Sequence, residues 1–253
     1  MPMTQPKRPL FSIITVTYNA ADTIEPTMRS VASQTCTSYE HIIMDGVSKD
    51  DTLKIAKDLS TGRTRIFSSK DRGLYDAMNK AIGEARGEYL IFLNAGDSFH
   101  ASGTLDILAR AAFDHDFPGV IYGQTELVDA QRNYVGERHL TAPEKLTLDS
   151  FKQGMLVCHQ AFTVLRRIAP LYDLRWRFSA DYEWCIRCLQ HSRQNIYVGC
   201  TTIDYLSEGM TTRNRRASLK ERFKIMAHYY GLLPTLFRHA GFFARDLKRK
   251  LKK

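Results

Sequence analysis

Residues 71–97 read DRGLYDAMNKAIGEARGEYLIFLNAGD, and this stretch decides the fold. Its apolar residues recur at helical spacing on one face, at Leu74, Ala77, Met78, Ala81, Ile82 and Ala85. That spacing predicts an amphipathic helix. The apolar run at 88–93 predicts a buried strand, and small and acidic residues follow it up to Asp97. Because ligands bind beyond the carboxyl ends of strands in open α/β sheets, we expect Asp97 to face a ligand.

The segments before this stretch alternate between strand and helix signals. The composition predicts strands at 11–17, 40–45 and 65–67, and helices at 22–33 and 50–60. Ser48 or Asp50 is a suitable cap for the second of these helices. Repeated strand–helix units with short links are typical of a doubly wound, mostly parallel sheet. The predicted fold class is therefore α/β, with helices that flank a Rossmann-like sheet.

Beyond residue 97 the pattern is less regular. It predicts helices at 104–113 and 179–191, strands at 119–127, 159–165 and 196–206, and a hairpin or excursion at 128–138. Two amphipathic helical stretches follow at 217–253, separated near Gly231 and Pro234. We therefore expect one domain over residues 1–210 and a C-terminal helical extension over residues 211–253.

The basic charge of the chain is concentrated at its end. The 253 residues carry a net charge of +9, whereas residues 211–253 hold 13 Lys/Arg and 2 Asp/Glu, a balance of +11. The other residues carry −2, so a nucleic-acid groove along the fold is not expected. We expect the tail to lie on an anionic membrane surface. The alternative is a solvated charged helix whose apolar face packs on the body.

Several features indicate a cytoplasmic protein. No apolar run approaches the ~20 residues of a membrane-spanning helix, and the residues before Leu10 lack the apolar run of a signal peptide. The five cysteines are odd in number and do not have the spacing of a disulfide framework. Cys185 and Cys188 form one CxxC without a second pair, which argues against a zinc site. With the basic tail, these features predict a peripheral protein at the inner face of the cell membrane.

Two common nucleotide-binding motifs are absent. No GxGxxG follows the first strand, and no GxxxxGK[ST] occurs, so neither a dinucleotide-binding Rossmann site nor a P-loop is expected. A nucleotide at this sheet edge would therefore need acids and a metal ion. Mn²⁺ and Mg²⁺ prefer oxygen ligands and often retain substrate phosphates. One carboxylate and a diphosphate would form a suitable site.

Four motifs occur in the order found in one enzyme family. They are PLFSIITVTYN at 9–19, SVASQT at 30–35, YEHIIMDGVSKDDT at 39–52, and the stretch at 71–97. With these motifs the chain resembles a bacterial family 2 glycosyltransferase with a GT-A fold. The DRGLYDAMNK version is similar to enzymes that build capsule, exopolysaccharide and colanic-acid-type polymers. The resemblance is specific over roughly residues 9–100, looser to about residue 210, and absent from the tail.

The resemblance implies a binding site for a nucleotide-sugar donor at the carboxyl edge of the sheet. By position, Thr17 and Asn19 line the nucleotide pocket. Asp45 and Asp71 contact the base and the ribose.

The resemblance also implies a divalent cation, Mn²⁺ or Mg²⁺. Residues 94–97 stand where the family has its Asp-x-Asp metal motif, with Asn94 in the place of the first acid. Asp97 is the expected metal ligand, with Asn94 as a weaker contact, and Asn94 and Gly96 are expected to contact the nucleotide sugar. Gly96 would let a ligand approach the backbone closely.

An acid at the start of the helix predicted at 179–191 is the catalytic base in the family. Asp181 matches by position in FSADYEW at 178–184, and Glu183 is the second candidate, on the acceptor side. The alternative role of Asp181 is a helix cap. His159 lies in a segment that resembles the family's acceptor side, and its alternative role is structural.

The function implied is an inverting transfer of a sugar from a nucleotide-diphosphate sugar to a hydroxyl group of a lipid-linked saccharide acceptor, in cell-surface polysaccharide synthesis. Two other functions stay open. A nucleotidyltransferase would also use a nucleotide and a metal, but no glycine-rich triphosphate loop follows the first strand. The other is a non-catalytic homologue that binds a nucleotide sugar, and Asn94 in the metal motif is its best support.

Overall fold

Nine strands form one sheet in the computed structural model, which describes residues 8–207 and 215–250. The strands are β1 Phe11–Thr17, β2 Tyr39–Asp45, β3 Thr64–Ser68, β4 Tyr89–Phe92, β5 Ser98–Phe99, β6 Val120–Val128, β7 Tyr134–Glu137, β8 Phe162–Leu165 and β9 Asn195–Leu206. The helices are α1 Ile24–Ala32, α2 Thr52–Asp58, α3 Leu74–Glu84, α4 Thr104–Asp114, α5 Ala180–His191, α6 Arg215–Tyr230 and α7 Leu232–Lys250. The strand order is β3-β2-β1-β4-β8-β6-β9-β5, and β7 pairs with β6.

The first half of the sheet is parallel and confirms the predicted α/β class. β1 pairs in parallel with both β2 and β4, and β2 pairs in parallel with β3. Every residue of β1 and β2 is buried, as expected for strands that helices cover on both faces. Thr17 and Asp45 are register partners at the carboxyl ends of these strands. The predicted ligand edge therefore begins at this pair.

The second half of the sheet is mixed. β8 runs antiparallel to β4 and β6, whereas β9 runs parallel to β6. The short strand β5 pairs antiparallel with the end of β9, and β7 forms the expected hairpin with β6. This arrangement brings the end of β9 to the turn that contains Asp97.

The strand predicted at 159–165 is shorter than expected. His159–Ala161 forms a turn of 3₁₀ helix, and only Phe162–Leu165 is a strand. Adjacent residues of a strand point to opposite faces of the sheet. Here the neighbours His159 and Gln160 both have buried partners, Tyr172 and Asp97, and the tight turn allows both contacts.

The two predicted C-terminal helices are present and differ in their packing. In α6, Ile225 and Met226 are buried against the body, whereas α7 exposes several large apolar side chains, Leu232, Leu233, Leu236 and Phe237. The predicted domain boundary at residues 210 and 211 lies outside the described residues, as do residues 1–7 and 251–253. Within the described ranges, no helix has the length and apolarity needed to cross a membrane.

Candidate active site

The Asp45 carboxylate forms hydrogen bonds with residues at or just after the carboxyl ends of the first three strands. Its buried carboxylate accepts hydrogen bonds from the Ser48 amide at 3.0 Å, the Ser68 hydroxyl at 2.8 Å and the Thr17 hydroxyl at 3.1 Å. The Ser48 hydroxyl also donates to it. Burial alone would raise the pKa of Asp45, but these hydrogen bonds outweigh it and lower the pKa. Thr17 and Asp45 therefore lie together as predicted, as one fixed unit.

Asn19 connects the loop after β1 to the loop after β2. Its side-chain oxygen accepts from the Lys49 amide at 2.9 Å, and its own amide donates to the Ser48 hydroxyl at 2.9 Å. Its φ of 48° lies in the left-handed region, which asparagine tolerates better than most residues. The two loops that border the predicted nucleotide pocket thus hold each other in place.

The side chains of Asp71 and Tyr18 both lie close to Gly46. A Cβ atom on Gly46 would lie 2.5 Å from Asp71 Oδ2 and 3.4 Å from Tyr18 Cδ2. The Asp71 carboxylate also accepts from the Gly73 amide at 2.8 Å, which holds the start of α3. The Tyr18 ring is 66% exposed, so an aromatic face and a carboxylate are presented side by side at the edge of the sheet.

Asp97 is buried at the end of the 71–97 stretch. Its Oδ1 accepts from the Leu206 amide at 3.0 Å, and its Oδ2 accepts from the Gln160 side chain at 2.7 Å. Burial raises the pKa of Asp97 to about 7, even though both hydrogen bonds and the charge of Arg132 act in the opposite direction. The carboxyl group of Asp97 therefore changes its charge near neutral pH.

The turn between β4 and β5 is fixed by Thr27. The Thr27 hydroxyl donates to the Asp97 carbonyl at 2.6 Å and accepts from the Gly96 amide at 3.0 Å. Gly96 has a φ of +102°, and a Cβ atom there would lie 2.8 Å from Leu206 Cδ2. A side chain at this position would strain the backbone and press against Leu206, which favours glycine. The predicted contact of Gly96 with a nucleotide sugar stays a prediction.

The oxygen atoms of residues 94–97 suit a hard divalent cation. Asn94 Oδ1 is buried and has no hydrogen-bond partner in the part of the chain that the structure describes. An unpartnered buried oxygen three residues before a buried carboxylate fits the preference of Mn²⁺ and Mg²⁺ for oxygen ligands. Asn94 and Asp97 are thus a chemically suitable pair for the expected metal.

A second group of possible metal ligands lies further along the sheet. One ligand atom each of His100, Glu126 and Asp204 lies within 4.8 Å of the other two. His100 Nδ1 lies 2.7 Å from Asp204 Oδ1, and the Thr201 hydroxyl donates to Glu126. These contacts partner the group within the protein, and none of its members belongs to the predicted motifs.

Asp181 lies in the first turn of α5 and forms a hydrogen bond with the 71–97 stretch. Its Oδ1 accepts from the Tyr75 hydroxyl at 3.1 Å and from the Tyr182 amide at 2.9 Å. The second bond satisfies one of the free amides at the helix start, so Asp181 does part of the work of a cap. No hydrogen bond to Oδ2 is formed within residues 8–207 and 215–250.

Tyr75 was missed in the sequence, although its spacing to Met78 and Ile82 places it on the same helical face as the core. Its ring stacks on Tyr172 with centroids 5.4 Å apart. Burial raises the pKa of the Tyr75 hydroxyl well above its usual range, and the Asp181 carboxylate adds to this effect. Tyr75 therefore stays a hydrogen-bond donor to Asp181.

His159 and Glu183 are both buried, and their expected place on the acceptor side stays a prediction. His159 stacks on Phe92 with centroids 5.0 Å apart, and its Nε2 lies 2.5 Å from the Tyr172 hydroxyl. Burial lowers the pKa of His159 to about 4, so the ring is neutral. Glu183 is also buried and accepts from Tyr229 of α6 at 2.6 Å. Both side chains therefore contribute to packing.

A family model, relatives and solved structures resemble this chain. The model of Glycosyl transferase family 2 matches residues 12–169. A PGL/p-HBAD biosynthesis glycosyltransferase of Mycobacterium bovis (strain BCG / Pasteur 1173P2) is 35% identical over 190 residues, which cover 72% of this chain and 71% of that protein. A putative teichuronic acid biosynthesis glycosyltransferase, TuaG, of Bacillus subtilis (strain 168) is 30% identical over 156 residues, which cover 59% of this chain and 60% of that protein.

Two solved structures show the same fold. S. aureus TarS 1-349 in complex with UDP-GlcNAc has a TM-score of 0.70 at 17% identity, covering 92% of this chain and 73% of that one. The mannosyltransferase PcManGT from Pyrobaculum calidifontis, in complex with GDP-Man and Mn²⁺, has a TM-score of 0.61 at 16% identity, covering 94% of this chain and 76% of that one. The expected GT-A fold is confirmed by this likeness.

Proposed function

The chain belongs to glycosyl transferase family 2, and we propose that it is an inverting enzyme that moves a sugar from a nucleotide-diphosphate sugar to a hydroxyl group of a lipid-linked saccharide. The hydrogen bond between Tyr75 and Asp181 carries this proposal. It joins α3 to the candidate base on α5, and α3 belongs to the same 71–97 stretch as Asp97. A donor held at Asp97 would therefore lie on the side of the sheet where a base is available.

Asp181 acts as the general base in the proposed reaction. Its Oδ1 is fixed by Tyr75 and by the Tyr182 amide, so Oδ2 is the atom that takes the proton of the acceptor hydroxyl. The hydroxyl oxygen attacks the anomeric carbon as the bond to the nucleoside diphosphate breaks. A single displacement of this kind inverts the configuration at that carbon. Tyr75 contributes by holding the base in one orientation.

Asn94 and Asp97 would hold a divalent cation, Mn²⁺ or Mg²⁺. Such a cation stabilises the charge that builds on the departing diphosphate. The unpartnered Asn94 Oδ1 supports this assignment. PcManGT was solved with GDP-Man and Mn²⁺, which is consistent with a metal-assisted enzyme of this fold.

The nucleoside would lie at the edge formed by the loops after β1 and β2. We assign the base and ribose to Asp71 and to the exposed ring of Tyr18, which is free to stack on a base. Thr17 and Asn19 line this pocket in the proposal. The Asp45 carboxylate already accepts four protein hydrogen bonds, so its part is to hold the pocket together.

The acceptor and the location follow from the relatives and from the tail. TuaG is named for teichuronic acid biosynthesis, which supports a role in cell-surface polysaccharide synthesis. A lipid-linked acceptor would require a cytoplasmic enzyme to reach the inner face of the cell membrane. In the proposal, residues 1–210 form the glycosyltransferase domain and residues 211–253 the basic extension. Its helix α7 exposes an apolar face that suits an anionic membrane surface.

Donor binding and turnover together test the proposed reaction. Thermal shifts with UDP, GDP, CDP and dTDP sugars and Mn²⁺ should identify the donor, since a ligand of the native state raises its apparent stability. Asp181→Asn should then lower turnover by roughly 10²–10⁴-fold and keep the thermal shift. Asp149→Asn, at an exposed carboxylate, is the matched control. A near-normal rate in Asp181→Asn would remove Asp181 as the base.

The released product separates the two catalytic alternatives. A glycosyltransferase releases a nucleoside diphosphate from its donor, whereas a nucleotidyltransferase releases pyrophosphate. A non-catalytic homologue would bind a nucleotide sugar in the presence of Mn²⁺ and release neither product, even with a range of saccharide acceptors. Release of pyrophosphate, or of nothing, would each overturn the proposed transfer.

Membrane binding is tested by flotation with anionic liposomes. The full chain should float, and a chain that ends at Gly231 should not, because it keeps the docked helix α6 and lacks α7. The double variant Leu233→Gln and Phe237→Gln should bind more weakly, since these side chains are 67% and 78% exposed. Equal flotation of all three proteins would contradict the role given to α7.

A further inference from the structure

Helix α6 is anchored directly beside the candidate base. Its Glu221 carboxylate accepts from the amides of Arg177 and Phe178, at 3.0 and 2.8 Å, just before α5 begins. The hydroxyl groups of Ser218 and Ser179 lie 2.9 Å apart. These bonds fix α6 relative to the first turn of α5, where Asp181 lies.

Arg222, the next residue of α6, has no acidic partner among the residues that the structure describes. Its Nε is buried and has no acceptor, and among residues 8–207 and 215–250 the side chain makes no hydrogen bond and no ion pair. Its guanidinium carbon lies 6.0 Å from the centroid of the Tyr182 ring. A buried donor of a charged group left without an acceptor is costly. Such a group is therefore expected to meet an anion when a ligand binds.

Arg222 lies close to the candidate active site, so an anion bound to it would lie there as well. Tyr182 follows Asp181 in α5, and Tyr75 donates to Asp181 from the other side. Burial has the largest effect on the pKa of the Tyr75 hydroxyl and raises it, while the charge of Arg222 acts on that hydroxyl in the opposite direction. Arg222, Tyr75 and Asp181 thus share one electrostatic environment.

We propose that Arg222 binds a phosphate group next to Asp181, either in the diphosphate of the donor or in a phosphorylated acceptor. The guanidinium presents its donors in a planar fork that matches phosphate oxygens, and arginine stays charged at every accessible pH. The inference rests on the proposed function, because that reaction brings phosphate to this place. It also assigns α6 of the basic extension a direct part in ligand binding.

Equilibrium binding tests this role without turnover. Wild type, Arg222→Gln and Arg222→Lys are compared by calorimetry in the presence of Mg²⁺, and Lys224→Gln serves as the control because Lys224 is exposed on the same helix. The first probe pair is UDP with uridine, replaced by the matching pair if another base is preferred. The second pair is a short prenyl diphosphate with its prenyl alcohol. Inorganic pyrophosphate is the fifth probe.

If Arg222 binds the donor, Arg222→Gln should weaken UDP and pyrophosphate about tenfold to hundredfold and leave uridine unchanged. If it binds the acceptor, only the prenyl diphosphate should weaken, and the alcohol should not. Arg222→Lys keeps the charge and should lose less affinity, which separates ligand binding from misfolding. Unchanged affinities for all phosphate probes, or equal losses in Lys224→Gln, would overturn the proposal. If wild type binds no nucleoside diphosphate, the proposed function fails, while the pyrophosphate and prenyl diphosphate comparisons still decide the role of Arg222.

Discussion

Asp97 is expected to make the stability of the metal-free protein fall as the pH rises toward neutrality. Burial raises the pKa of its carboxyl group to about 7, whereas the group has a pKa of about 3.9 in an unfolded chain. Between these values the folded state holds a proton that the unfolded state has released. The free energy of unfolding therefore decreases with pH across this window and is level above it. The full cost above about pH 7 is roughly 4 kcal/mol, from ~1.4 kcal/mol per unit of pKa.

The variant Asp97→Asn isolates this effect, because its side chain is uncharged at every pH. Its oxygen still accepts from the Leu206 amide, and the Gln160 amide can turn to present its oxygen. From about pH 5 to about pH 8, the stability gap between variant and wild type should widen by about 3 kcal/mol in favour of the variant. The measurement is urea unfolding followed by circular dichroism, with EDTA present to remove metal.

Wild type and Asp97→Asn must be compared, because buried histidines make the free energy of unfolding rise with pH, opposite to the effect of Asp97. Burial lowers the pKa of His41 to about 3 and that of His159 to about 4, so both favour the folded state less as the pH falls below about 6.5. Both histidines are present in both proteins, and their contribution cancels in the difference. Asp58→Asn, at an exposed carboxylate, is the control for removing a surface charge.

A constant gap between Asp97→Asn and wild type over this pH range would refute the reasoning. It would mean that the Asp97 carboxyl group has the same charge in the folded and unfolded states. Saturating Mn²⁺ provides a second check, since a ligand of the ionised native state offsets the cost of burial. At about pH 8 it should stabilise wild type more than Asp97→Asn.

Two other substitutions test contacts at the same edge. Tyr75→Phe should lower kcat about tenfold at an unchanged donor KM, because Asp181 loses one hydrogen bond to its charged form. Steady-state kinetics would refute the positioning role if kcat did not change. Gly96→Ala should lower the free energy of unfolding by about 1–3 kcal/mol, because the new methyl would lie 2.8 Å from Leu206 Cδ2 at a φ of +102°. Gly83→Ala, where the added Cβ atom meets nothing within 4 Å, is the control in urea unfolding and should not destabilise.

The repeating part of the fold could be predicted from the sequence because it depends on local spacing. The apolar face of α3 and the runs that became β1, β2 and β4 each follow a period that does not depend on distant residues. The strand ends Thr17 and Asp45 were placed together by the geometry of parallel sheets. The mixed order of the second half was not predicted, because antiparallel pairing of β8 with β4 depends on contacts between segments far apart in the chain.

The roles of single polar residues were harder to predict. Gln160 donates a hydrogen bond to Asp97, 63 residues earlier in the chain, and no feature of the sequence around Gln160 indicates that partner. His159 and Glu183 carry chemistry that suits an active site, but Tyr172 and Tyr229 bury them. Whether a polar side chain faces solvent or core is decided by tertiary packing. Sequence spacing therefore predicts which strand ends meet at one edge of the sheet, but not which polar side chains are buried there.

The carboxylate of Asp97 depends on a partner that is made much later in protein synthesis. Leu206, whose amide it accepts, lies 109 residues further along the chain. At roughly 5–20 residues per second, a ribosome needs about 5–20 s to add that length. During this interval the nascent chain already contains the whole 71–97 stretch but not the strand that closes over it. The parallel unit of β1, β2 and β4 can form first, and the turn that contains Asp97 reaches its final arrangement only after β9 has left the exit tunnel.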